Sequence, residues 1–259
     1  MIHEGIIRQK GDFRMDQNII DLLQDKMEII AFNEEQNLSL VGPVKLPVQL
    51  DDQVVTFQWY TWLPINKNET KEEVLRSLPA LDLADYQQSS VLVYGDFASE
   101  ENALIRMHSI CHTGDIFGSK RCDCGYQLKE SMRMIVENGN GALFYLANHE
   151  GRGIGLFTKS LAYLLQENGF DTVEANLALD FPDDLRSYEA PLKVLQFLRQ
   201  KPVKLITNNP KKLEALKKLG LTAEENVPLW GDVSSYNENY LKTKVNKSGH
   251  IPLKNTVTI

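Results

Sequence analysis

The chain has three cysteines, Cys111, Cys122 and Cys124, and all fall within fourteen residues of one another. An odd, clustered set of this kind reads as metal or thiol chemistry rather than as a disulfide framework. Three thiolates bind zinc strongly, and a site with only three protein ligands leaves a fourth position for water, which is the catalytic pattern. Water held there has a pKa of about 7 and is a hydroxide source at neutral pH. A histidine such as His108, His112 or His149 could instead close the fourth position and make the site structural. Buried free cysteines are also common without any metal. Spacing alone leaves these alternatives open.

The elements that must position these thiols can be read from periodicity. Ile19, Ile20, Leu23, Met27 and Ile30 follow helical spacing and predict a helical extension over residues 1–37. LSLVGPVKLPVQL and VVTFQWYTWL, separated by Asp51 and Asp52, predict a hairpin. Residues 64–90, polar and with a short helical pattern between Pro64 and Pro79, read as an insertion. SVLVYGD and ALIRMHS then predict two strands, YQLKESMRMIVENG a helix with Leu128, Met132, Ile135 and Val136 on one face, and GALFYL a strand. IGLFTKSLAYLLQENG predicts a helix closed near Gly169. SYEAPLKVLQFLRQ predicts a helix interrupted early by Pro191, VKLIT a buried strand, and PKKLEALKKLG a helix ending at Gly220. From about Ser234 the chain reads as polar and irregular. The sum is an α+β fold, a mixed sheet with flanking helices, in a domain over residues 38–259.

Composition bounds the function. At 259 residues, 42% hydrophobic, 24% charged and a formal net charge of -7, the chain reads as globular. An acidic chain argues against nucleic acid as the main partner, whereas a few Lys and Arg in one cleft would suffice for a phosphorylated small molecule. The start, MIHEGIIRQKGDF, shows no apolar stretch behind a basic one, so a cytoplasmic protein without a membrane span is expected.

The stretch from Arg106 to Leu128, RMHSICHTGDIFGSKRCDCGYQL, resembles the zinc motif of the GTP cyclohydrolase II family, the first enzyme of riboflavin synthesis. HEGRGIGL at His149, GFDTVEAN at Gly169 and LITNNPKK at Leu205 are similar to the family's later motifs in the same order, so the resemblance covers about residues 40–250. It implies one zinc per subunit on Cys111, Cys122 and Cys124, and attack on C8 of GTP that opens the imidazole ring. Formate and pyrophosphate leave, giving a diaminopyrimidine ribosyl phosphate. Arg106 and His108 match substrate contacts, as do Gln127, Thr172, Thr207 and Lys212, the last placed to neutralise phosphate. Glu150 matches the partner of the guanine donors, with Arg152 beside it. Tyr163 matches the general acid that protonates the opening ring. Helical spacing adds a weaker indication: Ile154, Phe157, Leu161, Leu164 and Leu165 share one stripe, with Tyr163 roughly opposite. Asp184 and Arg186 match a catalytic pair at the α-phosphate. Arginine is always protonated and has no lone pair, so an electrostatic clamp explains Arg186 as well as nucleophilic attack does. The resemblance further implies Mg2+ with the triphosphate and a homodimer.

Four positions depart from the family pattern: Ile110 stands where Glu is usual, Ala147 where Arg is usual, and Glu189 and Pro191 where glycines are usual. They leave open a related hydrolase acting on another nucleotide or stopping at the formamide. A zinc-stabilised binding protein without turnover is the alternative from a different class. Bifunctional relatives carry a further synthase domain in front. With about 37 residues before the first matched strand, this chain is expected to be monofunctional.

Overall fold

The computed structural model describes residues 15–221 and 226–252. Its centre is a seven-stranded mixed sheet. The strands are β1 Met27–Ala31, β2 Gln36–Leu50, β3 Gln53–Asn66, β4 Ser90–Tyr94, β5 Ala103–Ser109, β6 Gly141–Leu146 and β7 Val203–Leu205, in the order β1-β2-β3-β4-β6-β5-β7. The helices are α1 Gln17–Gln24, α2 Lys71–Ser77, α3 Cys124–Glu137, α4 Gly155–Glu167, α5 Thr172–Ala178, α6 Glu189–Leu198, α7 Pro210–Lys217 and α8 Glu238–Asn246. Neighbours from β1 through β6 are antiparallel, whereas β5 runs parallel to both β6 and β7. Among the described residues, no helix is long and apolar enough to cross a membrane.

The expected hairpin is β2–β3. Leu50 pairs with Gln53 across a two-residue turn, and Asp51 takes the positive φ of 53° that such turns need. Alternation along the central strands sorts side chains between two cores. Ile105, Met107, Ala142 and Phe144 face one way, into a cluster with Val194 and Leu195 of α6, while Leu104 and Leu143 face Met132 and Ile135 of α3. Phe144 is fully buried at the middle of β6. Phe144→Ala is expected to lower the unfolding free energy by about 3–5 kcal/mol, measured by urea denaturation.

Several expectations need correction. The N-terminal helix ends at Gln24; Met27 and Ile30 lie in β1, and residues 1–14 are outside the described residues. The strand is covered on both sides, Met27 packing toward α1 and α2 and Ile30 into the main core, so it lacks a period-two signature. Pro191 does not interrupt a helix. It sits in the first turn of α6, where a missing N–H removes no helical bond. The region after Ser234 is not irregular, because it contains α8, held by polar tertiary contacts rather than by an apolar stripe.

β5, β6 and β7 all point their carboxyl ends toward one side, and β5 leads directly into Cys111, β6 into the His149–Gly153 loop, and β7 into Thr207 and Asn209. The open end of parallel strands is where ligand sites form in α/β sheets.

Candidate active site

The three thiols converge just beyond β5. Their sulfurs lie within 4.8 Å of one another, and Cys111 Sγ is 3.6 Å from Cys122 Sγ. Tetrahedral zinc with Zn–S bonds of about 2.3 Å needs sulfurs about 3.8 Å apart, so the donor set fits that ion. A π-helical turn, His112–Ile116, folds the loop back, and Gly114 is required there: a Cβ would stand 2.8 Å from Cys122 Sγ and 3.1 Å from Cys111 Sγ. Asp115 pins the turn from beneath, its carboxylate accepting from the Cys111 amide at 2.9 Å, the Tyr145 hydroxyl at 3.1 Å and His108 Nε2 at 3.1 Å. The Cys122 and Cys124 thiols hold the Cys111 thiol far below its usual value, while its charge pushes theirs up. One thiolate shared by two thiols is what a metal would convert to three thiolates by displacing protons.

None of the three candidate histidines joins the thiols. His108 turns to Asp115 and stacks on Tyr145, His112 sits edge-on to Phe117, and His149 bridges Ser109 and the Ser187 carbonyl. Among the described residues the ligand group is three cysteines alone, which leaves the fourth position to a non-protein ligand. Burial keeps His108 and His149 below the usual imidazole value, His149 at about 4, so both rings are neutral.

The loop after β6 is strained. Arg152 has a φ of 66°, and flanking Gly151 and Gly153 are also positive. A non-glycine residue in this region is uncommon and clusters at functional sites. The conformation lets Arg152 pair with Asp183 and donate to Ser248 Oγ at 3.0 Å. Glu150 is 1% exposed and does not stand free. It accepts from the His112 amide at 2.7 Å and from Lys159 Nζ at 2.6 Å, tying the thiol turn to α4. Lys159 Nζ also reaches Cys111 Sγ at 3.2 Å and Thr113 Oγ1 at 3.3 Å.

α4 presents its faces opposite to the amphipathic expectation. Lys159 and Ala162 are buried, whereas Phe157 is 79% exposed and Leu164 58%. Phe157, Leu161 and Leu164 of the apolar stripe face out, Ile154 and Leu165 pack inward around Ala162, and the face turned to the cleft carries Lys159 and Tyr163. Tyr163 donates to or accepts from Thr113 Oγ1 at 3.3 Å, and the Arg121 guanidinium covers its ring at 4.1 Å. Burial raises the Tyr163 phenol above its usual value, so it is a proton donor at neutral pH.

Cations gather at the other end of the cleft. Arg186 grips Asp184 with two bonds, at 2.8 and 2.7 Å, and donates to Ser109 Oγ at 3.3 Å. Burial opposes the Asp184 charge, yet Arg186 outweighs it and holds the carboxyl at about 2. Among the described residues, Lys212 has no carboxylate partner within ion-pair distance. Its Nζ donates to the Met107 carbonyl at 2.8 Å, and burial together with Arg186 and Arg106 holds it well below the usual lysine value. A buried lysine crowded by two arginines and without a carboxylate of its own suits an anion. Asn209 caps α7 with Pro210 in its first turn, as such a pair commonly does, and this places Lys212.

Every residue matched to a catalytic, substrate-binding or metal-binding role lines this one cleft, including Arg106, His108, Gln127, Thr172 and Thr207, whereas His112 does not. Arg106 is buried and donates to Gln127 and, at 3.1 Å, to the Ile206 carbonyl. Among the described residues, Arg106 Nε and His108 Nδ1 are buried and find no hydrogen-bond partner. Sequence reasoning missed Asp115, Lys159 and the C-terminal residues Trp230, Tyr240, Lys244 and His250, which also line the cleft or support it. Lys159 was within reach, since it precedes Tyr163 by one helical turn on the same face.

Comparison with known proteins accords with this geometry. The sequence profile of the family described as GTP cyclohydrolase II matches residues 80–228. The chain is similar to the GTP cyclohydrolase-2 of Colwellia psychrerythraea, 49% identical over 165 residues that cover 64% of this chain and 81% of that protein. It is also similar to the riboflavin biosynthesis protein RibBA of Bacillus subtilis, 49% identical over 168 residues, 64% of this chain but 42% of that protein. The RibBA of Chlamydia muridarum is 42% identical over 235 residues, 87% of this chain and 52% of that protein. The chain thus spans about half the length or less of these RibBA relatives.

Proposed function

The chain belongs to the GTP cyclohydrolase II family, and from that premise we propose that it hydrolyses GTP at C8, releasing formate and pyrophosphate in riboflavin synthesis. The observation that carries the reading is the convergence, in one cleft, of a three-thiol centre, a protonated tyrosine and a cluster of buried cations around Lys212.

Cys111, Cys122 and Cys124 would hold one zinc per subunit, which supplies hydroxide at neutral pH for attack at carbon. Tyr163, kept protonated by burial, delivers its proton to the imidazole nitrogen as the ring opens. Gln127, Arg106 and His108 lie on the same wall as the thiols and bind the base and ribose edge. Glu150, with both oxygens engaged, acts on guanine chiefly by fixing the thiol turn against Lys159. Arg152, Thr172, Thr207 and Lys212 bind the remainder of the nucleotide. Arg186, cationic and fixed by Asp184, serves as a clamp that stabilises charge at the α-phosphate, with Mg2+ neutralising the outer phosphates.

The direct test is to incubate zinc-loaded protein with GTP and Mg2+ and follow formate and the ultraviolet spectrum of the product. Formate with the diaminopyrimidine spectrum is the expected outcome, and intact GTP refutes the reading. A second reading is favoured by Ile110, an apolar side chain lining the cleft beside Cys111: turnover of a different purine nucleotide. Faster turnover of such a nucleotide across a panel would establish it.

The outward stripe of α4, Phe157, Leu161 and Leu164, supports a homodimer, since exposed apolar surface of this kind marks interaction sites. Light scattering should give twice the chain mass, and Phe157→Glu should shift it toward the monomer.

A further inference from the structure

Asp123 sits between two metal-site cysteines at the N-cap of α3, where aspartate ordinarily caps its own helix. It makes no such cap. Its carboxylate, 1% exposed, is turned toward the C-terminal segment, accepting from Lys244 Nζ of α8 at 2.7 Å and from the Gly231 amide at 3.3 Å. Gln127 Nε2, from the next turn of α3, donates to it at 2.5 Å. Residue 231 packs so closely that a Cβ there would stand 2.5 Å from the Asp123 Cβ. One turn before Lys244, the Tyr240 hydroxyl lies 3.8 Å from Cys124 Sγ, and the Lys244 ammonium covers the Tyr240 ring at 4.3 Å.

We propose that the C-terminal segment is part of the metal centre: Lys244 and Gly231 clamp Asp123, and through it the Cys122–Cys124 ligand pair, while Tyr240 gives Cys124 a hydroxyl partner. The inference rests on the reading of the three thiols as a zinc site and assigns it positioning residues from an element more than a hundred residues away in sequence.

The physical case is electrostatic as well as steric. Three thiolates on a divalent ion leave a net negative centre, and a buried carboxylate between two of them adds to that charge. Lys159 offsets it on the Cys111 side. On the Cys122–Cys124 side the offset comes from Lys244, whose side chain is 13% exposed. Removing Lys244 leaves the Asp123 carboxylate buried without its cation, so it no longer holds the Cys122–Cys124 pair in place, which loosens the ligand geometry and weakens metal binding. The segment is fastened at further points. Lys247 pairs with Asp171 and Glu174 of α5, Ser248 meets Arg152, and the Ile251 amide donates to the Asn208 carbonyl at 2.9 Å.

The experiment is a zinc titration of the metal-free full chain against a chromophoric chelator, for the native protein and for Lys244→Met, Lys244→Arg, Tyr240→Phe, Cys122→Ser and Lys242→Met. Lys242 lies on the same helix and pairs only with Glu238 on the surface. Lys244→Met is expected to weaken zinc binding by about 10-fold or more, Lys244→Arg to recover most of that, and Lys242→Met to leave it unchanged. Tyr240→Phe is expected to shift the thiolate-to-metal absorption band of the cobalt-substituted protein. Native affinity in Lys244→Met together with an unshifted band in Tyr240→Phe overturns this inference alone. If Lys244→Met does not fold, by circular dichroism, the Tyr240→Phe band decides it: a shift supports the inference and an unshifted band overturns it. A native protein whose zinc binding is no tighter than that of Cys122→Ser overturns the metal reading itself, and this inference with it.

Discussion

Replacing Cys122 with serine is expected to remove bound zinc and to bring formate release down to background, while the protein stays folded. The Cys122 sulfur is one of three that meet within 4.8 Å, and it is buried against the turn at Gly114. A serine hydroxyl does not ionise at neutral pH and is a poor zinc ligand, so two thiols remain where the ion needs three. The sheet does not depend on this cluster, because its cores are the separate apolar groups around Phe144 and Leu143. Metal content by atomic emission, formate yield and a thermal melt by circular dichroism check the three parts together. Loss of the folded state on this single change would mean that the metal is structural.

Tyr163→Phe is expected to lower kcat by about 10²–10⁴-fold, the range for a positioned general acid, with KM changed little and zinc content unchanged. The hydroxyl touches only Thr113 among protein groups, so its removal leaves no buried partner stranded at high cost. The ring stays in place under Arg121. An interaction made only as the ring opens affects the chemical step and not ground-state binding. Steady-state kinetics on the variant decides it, and a kcat within threefold of native would remove Tyr163 from the proton path.

How much of this was legible in the residues differs by element. The hairpin around Asp51 and the strands β4 to β7 follow from short runs of β-branched and apolar residues bounded by turn residues, which are local signals. The thiol centre was visible because cysteine is rare in this chain and its spacing is tight. Two helices left no apolar trace. α5 is seven residues long and rests on the capping box of Asp171 and Glu174, a signature present in the sequence and passed over. α8 is polar and is held by Lys244 and Lys247 to carboxylates far away in the chain, so nothing local announces it. α4 misled because its apolar stripe is turned outward while Lys159 is buried, an inversion of amphipathic logic that arises where a helix serves a site before it serves the core. The fourth-ligand question could be settled only by geometry, since a histidine's partner depends on where Asp115 and Ser109 fall in space.

The mixed character of the sheet separates two burdens. β5, β6 and β7, running together, deliver the reactive groups from one end, whereas the long β2–β3 hairpin contributes no residue to the cleft. The outward positions of the hairpin can therefore accumulate change at little cost to turnover, while its buried side chains, such as Phe57 and Trp62, hold the cores behind the cleft. The segment from 64 to 90 and the tip at Asp51 are places where lineages can lengthen, recolour or repurpose the molecule, while the trio of parallel strands keeps the chemistry fixed.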